Sequence, residues 1–150
     1  MNRPSPAGAT ALALLAVLLP ACSDSGPLEP PDLRLGQDVC SVCGMAVSDG
    51  RYAAAVVLRH AGRDRVLLLD DLGELPQLEL PQHDQMVVFV RDEDSQQWLD
   101  ADHAWFIRAE RLRTPMGHGV AALATQERAV ARATELEGQS IPLDSLLPTP

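Results

Sequence analysis

Aromatic residues are scarce in this 150-residue chain: two Trp, one Tyr and two Phe, 3% in all. Lysine is absent, and the twelve basic residues, all Arg, face 21 acidic ones for a net charge of −9. Base stacking and phosphate neutralisation are therefore both poorly supplied, which argues against nucleic acid as a partner. No run reaches the roughly 18 apolar residues of a membrane-spanning helix, so the mature part is not expected to be an integral membrane protein. Three cysteines are too few for a disulfide framework. No Ser/His/Asp order, glycine-rich phosphate loop or zinc-protease helix occurs, so no enzyme is expected. Few rings and many alanines imply a small core, of the kind that a bound metal or a partner helps to hold.

What is present begins with an address. Arg3 precedes an apolar stretch from Ala9 to Leu19, the length of a secretory signal. Leu19-Pro20-Ala21-Cys22 then resembles a bacterial lipobox, with Pro20 an unusual second residue. Residues 1–21 are thus expected as a lipoprotein signal peptide and Cys22 as the acylated residue. Residues 22–37, rich in Ser, Pro, Asp and Glu up to Leu35, read as a lipid-anchored linker, a solvated tether. The expected place is the bacterial cell envelope, anchored by lipid and facing the periplasm or the outside. Ser23 after the cysteine permits sorting to an outer membrane. Apolar residues at 46% and charged ones at 22% are ordinary for a globular domain.

The mature chain reads as α+β: two small ββαβ-type domains with antiparallel sheets, 38–92 and 93–147. Strands are expected at 52–59, 65–69, 85–90, within 97–100 and 104–109, at 120–124 and at 139–143. Asp70 is a candidate cap for a helical segment that Pro76 limits to a turn or two. The charged turn 92–97 is a candidate boundary. Residues 126–137 form the best helix, with Thr125 as N-cap, Gly138 as C-cap, and Ala129, Ala133 and Leu136 on one face with Val130 beside it.

Two short segments carry the chemistry, Cys40-Ser41-Val42-Cys43-Gly44-Met45 and Thr114-Pro115-Met116-Gly117-His118-Gly119. Cys43 and Met45 are separated by one glycine, and so are Met116 and His118. In an extended backbone such pairs project to the same side. Two such hooks would place a thiolate, two thioethers and an imidazole around one ion, a soft set that selects Cu(I) over Mg²⁺ or Ca²⁺. Other readings stay open. Methionine commonly fills gaps in cores. Cys40 and Cys43 would also serve half a zinc site, a redox pair or a structural disulfide. His60, His83 and His103 read as surface histidines, and Asp70-Asp71 as a cap or turn.

With the lipobox, the CSVCGM segment, Asp70-Asp71-Leu72-Gly73, the WLDADHAWF stretch and TPMGHGVAALAT before an Ala-rich helix, the chain resembles the NosL family, the nitrous-oxide reductase accessory lipoproteins. The resemblance runs in order from Cys22 to about Leu147. It implies a Cu(I)-binding chaperone that supplies the reductase's copper–sulfide centre. It also implies partners in a membrane assembly complex with an ATP-driven transporter and a periplasmic component. Cys43, Met45 and Met116 match the family's motif sulfurs, and Cys40 and His118 are adjacent candidates. The sequence departs from the family pattern at Glu74-Leu75-Pro76 and at Leu123, where the family usually has an aromatic. A non-enzymatic scaffold and a thiol reductase are the rival functions.

Overall fold

The computed structural model describes residues 26–147, so the signal-like start and Cys22 lie outside the described residues. Strands β1 (Ala54–His60), β2 (Arg63–Leu69), β3 (Gln85–Arg91) and β4 (Trp98–Asp100) form one antiparallel sheet in the order β2-β1-β3-β4. Strands β5 (Trp105–Arg108), β6 (Val120–Leu123) and β7 (Gln139–Ile141) form a second, in the order β6-β5-β7. The one α-helix among the described residues, α1 (Gln126–Leu136), connects β6 to β7. The expected α+β class with antiparallel sheets is what the chain adopts.

The packing is layered, and the sequence explains the layers. In β1, Ala54, Val56 and Leu58 face one side and Ala55 and Val57 the other, all buried. A central strand covered on both faces needs an unbroken apolar run, which Ala53 to Leu58 supplies. The front face meets Phe106, Val120 and Ala122 of the second sheet and Leu146 beyond it in one shared core. Ile107, Ala121 and Leu123, on the opposite face of the second sheet, pack under Ala129 and Ala133 of α1. Each fully buried Val or Leu contributes roughly 1.5–3 kcal/mol relative to exposure.

The back face of the first sheet is covered by the segment expected as a solvated tether. Leu28 packs against the cluster of Ala55, Val57 and Phe89. The Arg59 guanidinium donates to the Gly26 carbonyl (2.6 Å), and the Trp98 indole donates to the Pro31 carbonyl (2.9 Å). The tether reading is therefore corrected for residues 26–35. Four leucines and prolines at 28–33 outweigh the polar composition, because a sheet face needed a cover.

Local readings are also revised. The segment between β2 and β3 is a 3-10 turn, Leu72–Gln77, with Pro76 inside. Its cap is Asp71, whose carboxylate accepts from Gly73 N (2.9 Å), and not Asp70. Thr125 does cap α1, accepting from Arg128 N. The left-handed residue that ends α1 is Glu137 (φ 55°) rather than Gly138. Gly138 answers a different need: a Cβ there would sit 2.6 Å from the Arg108 carbonyl oxygen. Ala129 and Ala133 are buried with Leu136 packed against the same cluster, as expected of that face, while Val130 beside it is 52% exposed. The charged turn after β3 is not loose. Asp92 is buried and accepts from Ser95 and from Ala124 N, and Glu93 binds Arg132 of α1 (2.8 Å), so this turn ties the two sheets together.

Candidate metal centre

Cys40-to-Met45 is the tip of a small hairpin. Cys40 N donates to the Met45 carbonyl (2.8 Å), Gly44 N to the Cys40 carbonyl (3.0 Å), and Val39 bridges Ala46 just below. Ser41 N donates to the Leu68 carbonyl (2.7 Å), which pins the tip to the end of β2. The second segment is also a turn, with Gly117 N donating to the Thr114 carbonyl (3.0 Å). Gly44 and Gly117 have φ of 73° and 74°. That left-handed backbone strains any residue with a side chain. The extended hooks expected at Cys43–Met45 and Met116–His118 are thus turned hooks, alike in both segments.

Both segments converge on the 3-10 turn Leu72–Gln77. Cys40 Sγ donates to Glu74 Oε2 (3.2 Å), and the donor atoms of Cys40, Cys43 and Glu74 lie within 4.8 Å of one another. On the other segment, His118 Nε2 sits 3.4 Å from Gln77 Nε2. His118 packs so closely on Gly73 that a Cβ at 73 would fall 2.2 Å from the His118 Cβ. Asp71, fully buried, holds the second segment by its backbone. Its Oδ2 accepts from Thr114 Oγ1 (2.5 Å), Met116 N (3.1 Å) and His118 N (3.4 Å). Asp70 does the same for the loop that leaves the first segment, accepting from Ser48 N (2.7 Å).

Exposure divides the sulfurs. Cys40 is buried, and burial pushes its thiol up to about 11 from 9.0; neighbouring backbone N–H groups offset part of this, while the bond to Glu74 adds to it. Cys40 is accordingly a neutral thiol near pH 7, donating to the Glu74 carboxylate. Cys43 is exposed and free, Met45 is 50% exposed, and Met116 and His118 are half-buried. The remaining histidines lie elsewhere: His60 beside Asp84 (3.4 Å), His83 half-buried on the Pro81 carbonyl (2.8 Å), and His103 exposed beside Asp100.

The sequence model of the NosL family matches residues 35–149. The chain belongs to the NosL family. The match takes in both hooks and the 3-10 turn between them. Among solved structures, the crystal structure of the copper chaperone NosL from Shewanella denitrificans has the same fold. Its TM-score is 0.64 at 18% identity, over 81% of this chain and 98% of that one. No curated protein matches.

Within this NosL-family fold, sequence reading named five candidate ligands but not the roles of two residues that hold the two segments, Glu74 and Asp71. Glu74 gave no signal beyond interrupting the expected helix pattern. Asp71 did give one, since a doubled aspartate before Leu-Gly reads as a cap. That it would also accept from a loop some 45 positions away was invisible without the tertiary contact.

Proposed function

We propose that this NosL-family chain is a lipid-anchored Cu(I) carrier of the bacterial cell envelope, not an enzyme. Its cargo would go to the copper–sulfide centre of nitrous-oxide reductase through a membrane assembly complex. The observation that supports it best is the convergence of two soft-donor hooks on one 3-10 turn, with Cys40 held by Glu74 and His118 by Gly73 and Gln77. Cys43, Met45, Met116 and His118 are the proposed first contacts of the ion, and Cys40 joins once its proton leaves. A thioether left half in solvent, as at Met45, fits a ligand better than a core filler. Thioethers are soft and neutral, so they hold Cu(I) without competing for protons and release it to a partner's methionine or histidine. The acidic surface would speed encounter with a basic partner face.

An anaerobic Cu(I) titration of residues 24–150 against a chromophoric chelator tests the site. One ion per chain is expected, bound at least about tenfold more weakly after Cys43→Ser or Met116→Leu. Indifference to Met116→Leu would overturn a site built from both segments. The Cys40–Cys43–Glu74 group would then favour a second reading, a zinc site, which tight Zn(II) binding that survives Met116→Leu would identify. The client is tested separately: a strain lacking the gene should assemble nitrous-oxide reductase deficient in copper.

A further inference from the structure

The two ends of the first sheet differ. At one end lie the β1–β2 turn, Ala61-Gly62, and the start of β3 at Gln85. At the other lie Leu69, Asp70 and the metal-binding turns. Six strand steps separate Ala54 from His60, a rise of about 20 Å. The N-terminal segment spans this length on the back face. Gly26 is held at the turn end by Arg59, Leu28 lies over Ala55 and Val57, Pro31 is held by Trp98, and Leu35 reaches Gly50 near the start of β1. The chain therefore enters the domain at the end opposite the metal centre.

Charge differs between the ends as well. In a protein of net charge −9, the turn end carries exposed Arg63 and Arg65, neither with a carboxylate partner among the described residues. Of the acidic groups nearby, Asp64 is paired with Arg59 (2.6 Å) and Asp84 accepts from Ala61 N (2.9 Å) beside His60, while exposed Glu79 lines one cavity with Arg65. Only Ser23, Asp24 and Ser25 separate Cys22 from Gly26. Four steps of extended chain reach at most about 15 Å.

We propose that the turn end of the first sheet, with Arg63 at the turn and Arg65 beside it, rests on anionic phospholipid headgroups, and that the packed N-terminal segment holds the metal centre toward the other end of the sheet, whose strands rise about 20 Å, facing away from the membrane. This rests on the lipoprotein reading of Cys22. A long flexible tether would let the domain tumble and offer any face to the bilayer. A segment pinned from Gly26 onward does not. Basic side chains gain from the negative potential of such a surface, and the rest of this acidic domain is repelled by it. A partner would then meet the copper site from the aqueous side.

The test uses the full chain, processed in a bacterium that acylates lipoproteins and placed on phosphatidylcholine–phosphatidylglycerol vesicles carrying a headgroup energy acceptor. A donor dye is coupled through a clickable residue at exposed Gln82, at the turn end, or at exposed Gln37, near the metal end. Transfer from position 82 should exceed that from 37 at least about twofold for a 20 Å difference in height. Arg63→Glu with Arg65→Glu, both on the surface, should reduce transfer from 82 while circular dichroism stays unchanged. Equal transfer, or more from 37, on protein whose intact mass shows acylated Cys22 would overturn the orientation and leave the lipoprotein reading standing. Transfer unaffected by the arginine substitutions would overturn the headgroup contact. An unacylated Cys22 would overturn the lipoprotein reading and the orientation with it.

Discussion

Asp71 is a single carboxylate that holds the second segment of the proposed metal centre without being offered as a ligand. It is fully buried and accepts from Gly73 N, Thr114 Oγ1, Met116 N and His118 N, so it caps the 3-10 turn and fastens the methionine–histidine loop to it. Asp71→Ala strands those donors and should cost about 3 kcal/mol in urea denaturation. Asp71→Asn puts amide hydrogens against N–H groups, and should weaken Cu(I) binding even where the fold survives. Chelator competition on the folded Asn variant checks this, and unchanged affinity would reduce Asp71 to a stability residue. Tyr52 offers a second test at this scale because it is the only tyrosine. Burial, then the Glu93 charge, hold its phenol above the ordinary 10.0, with Arg51 opposing. A raised folded value stabilises the protein below the unfolded value near 10, and that stability is lost as pH climbs through the folded midpoint. Absorbance titration should place phenolate formation above pH 10 in folded protein, with Glu93→Gln moving it down.

The 3-10 turn Leu72–Gln77 is the element that touches both segments of the proposed centre, and its shape follows from two residues. Pro76 stops a longer helix, which the sequence made plain. Gly73 lets the turn lie against His118, which it did not, since a glycine beside a leucine carries no sign of what approaches it. Gly73→Ala would drive a methyl group into His118, and Cu(I) affinity should fall on the order of tenfold, as for other groups that orient a ligand. An affinity within twofold of the parent would mean that His118 is not held for binding. Elements were legible where one physical signal dominated. The apolar run of β1 and β3, the Thr125 cap and the glycine-spaced hooks all follow from short-range pattern. Element ends were less so: the final strand closes at Ile141, before Pro142, and Glu137 rather than Gly138 takes the left-handed position. Residues whose roles come from distant partners, Glu74 with Cys40 and Asp92 with Ala124, had no local signature.

At the scale of the whole molecule, the repeated order of elements conceals a shared interior. The second sheet lies between α1 and the first sheet, and its Phe106, Val120 and Ala122 share a core with Ala54, Val56 and Leu58. Trp98 to Asp100, past the expected boundary at 92, pairs with β3 as the edge of the first sheet. Leu146, near the end of the described chain, is fully buried in the same core. The Glu93–Arg132 pair ties the end of the first sheet to α1, and buried Asp92 ties it to Ala124 at the end of β6. Apart from the other, each half would expose to water the apolar face they share, which leaves units of this size marginal. The chain should therefore unfold as one unit. Fluorescence of Trp98 in the first sheet and Trp105 in the second, separated with single-tryptophan variants, should give the same urea midpoint as far-ultraviolet circular dichroism. Residues 26–100 expressed alone should lack a cooperative transition, and adding residues 101–150 in trans should restore one. Two separate midpoints, or a stable first half, would mean that the copper hooks sit on independent modules, able to part when the ion is handed on.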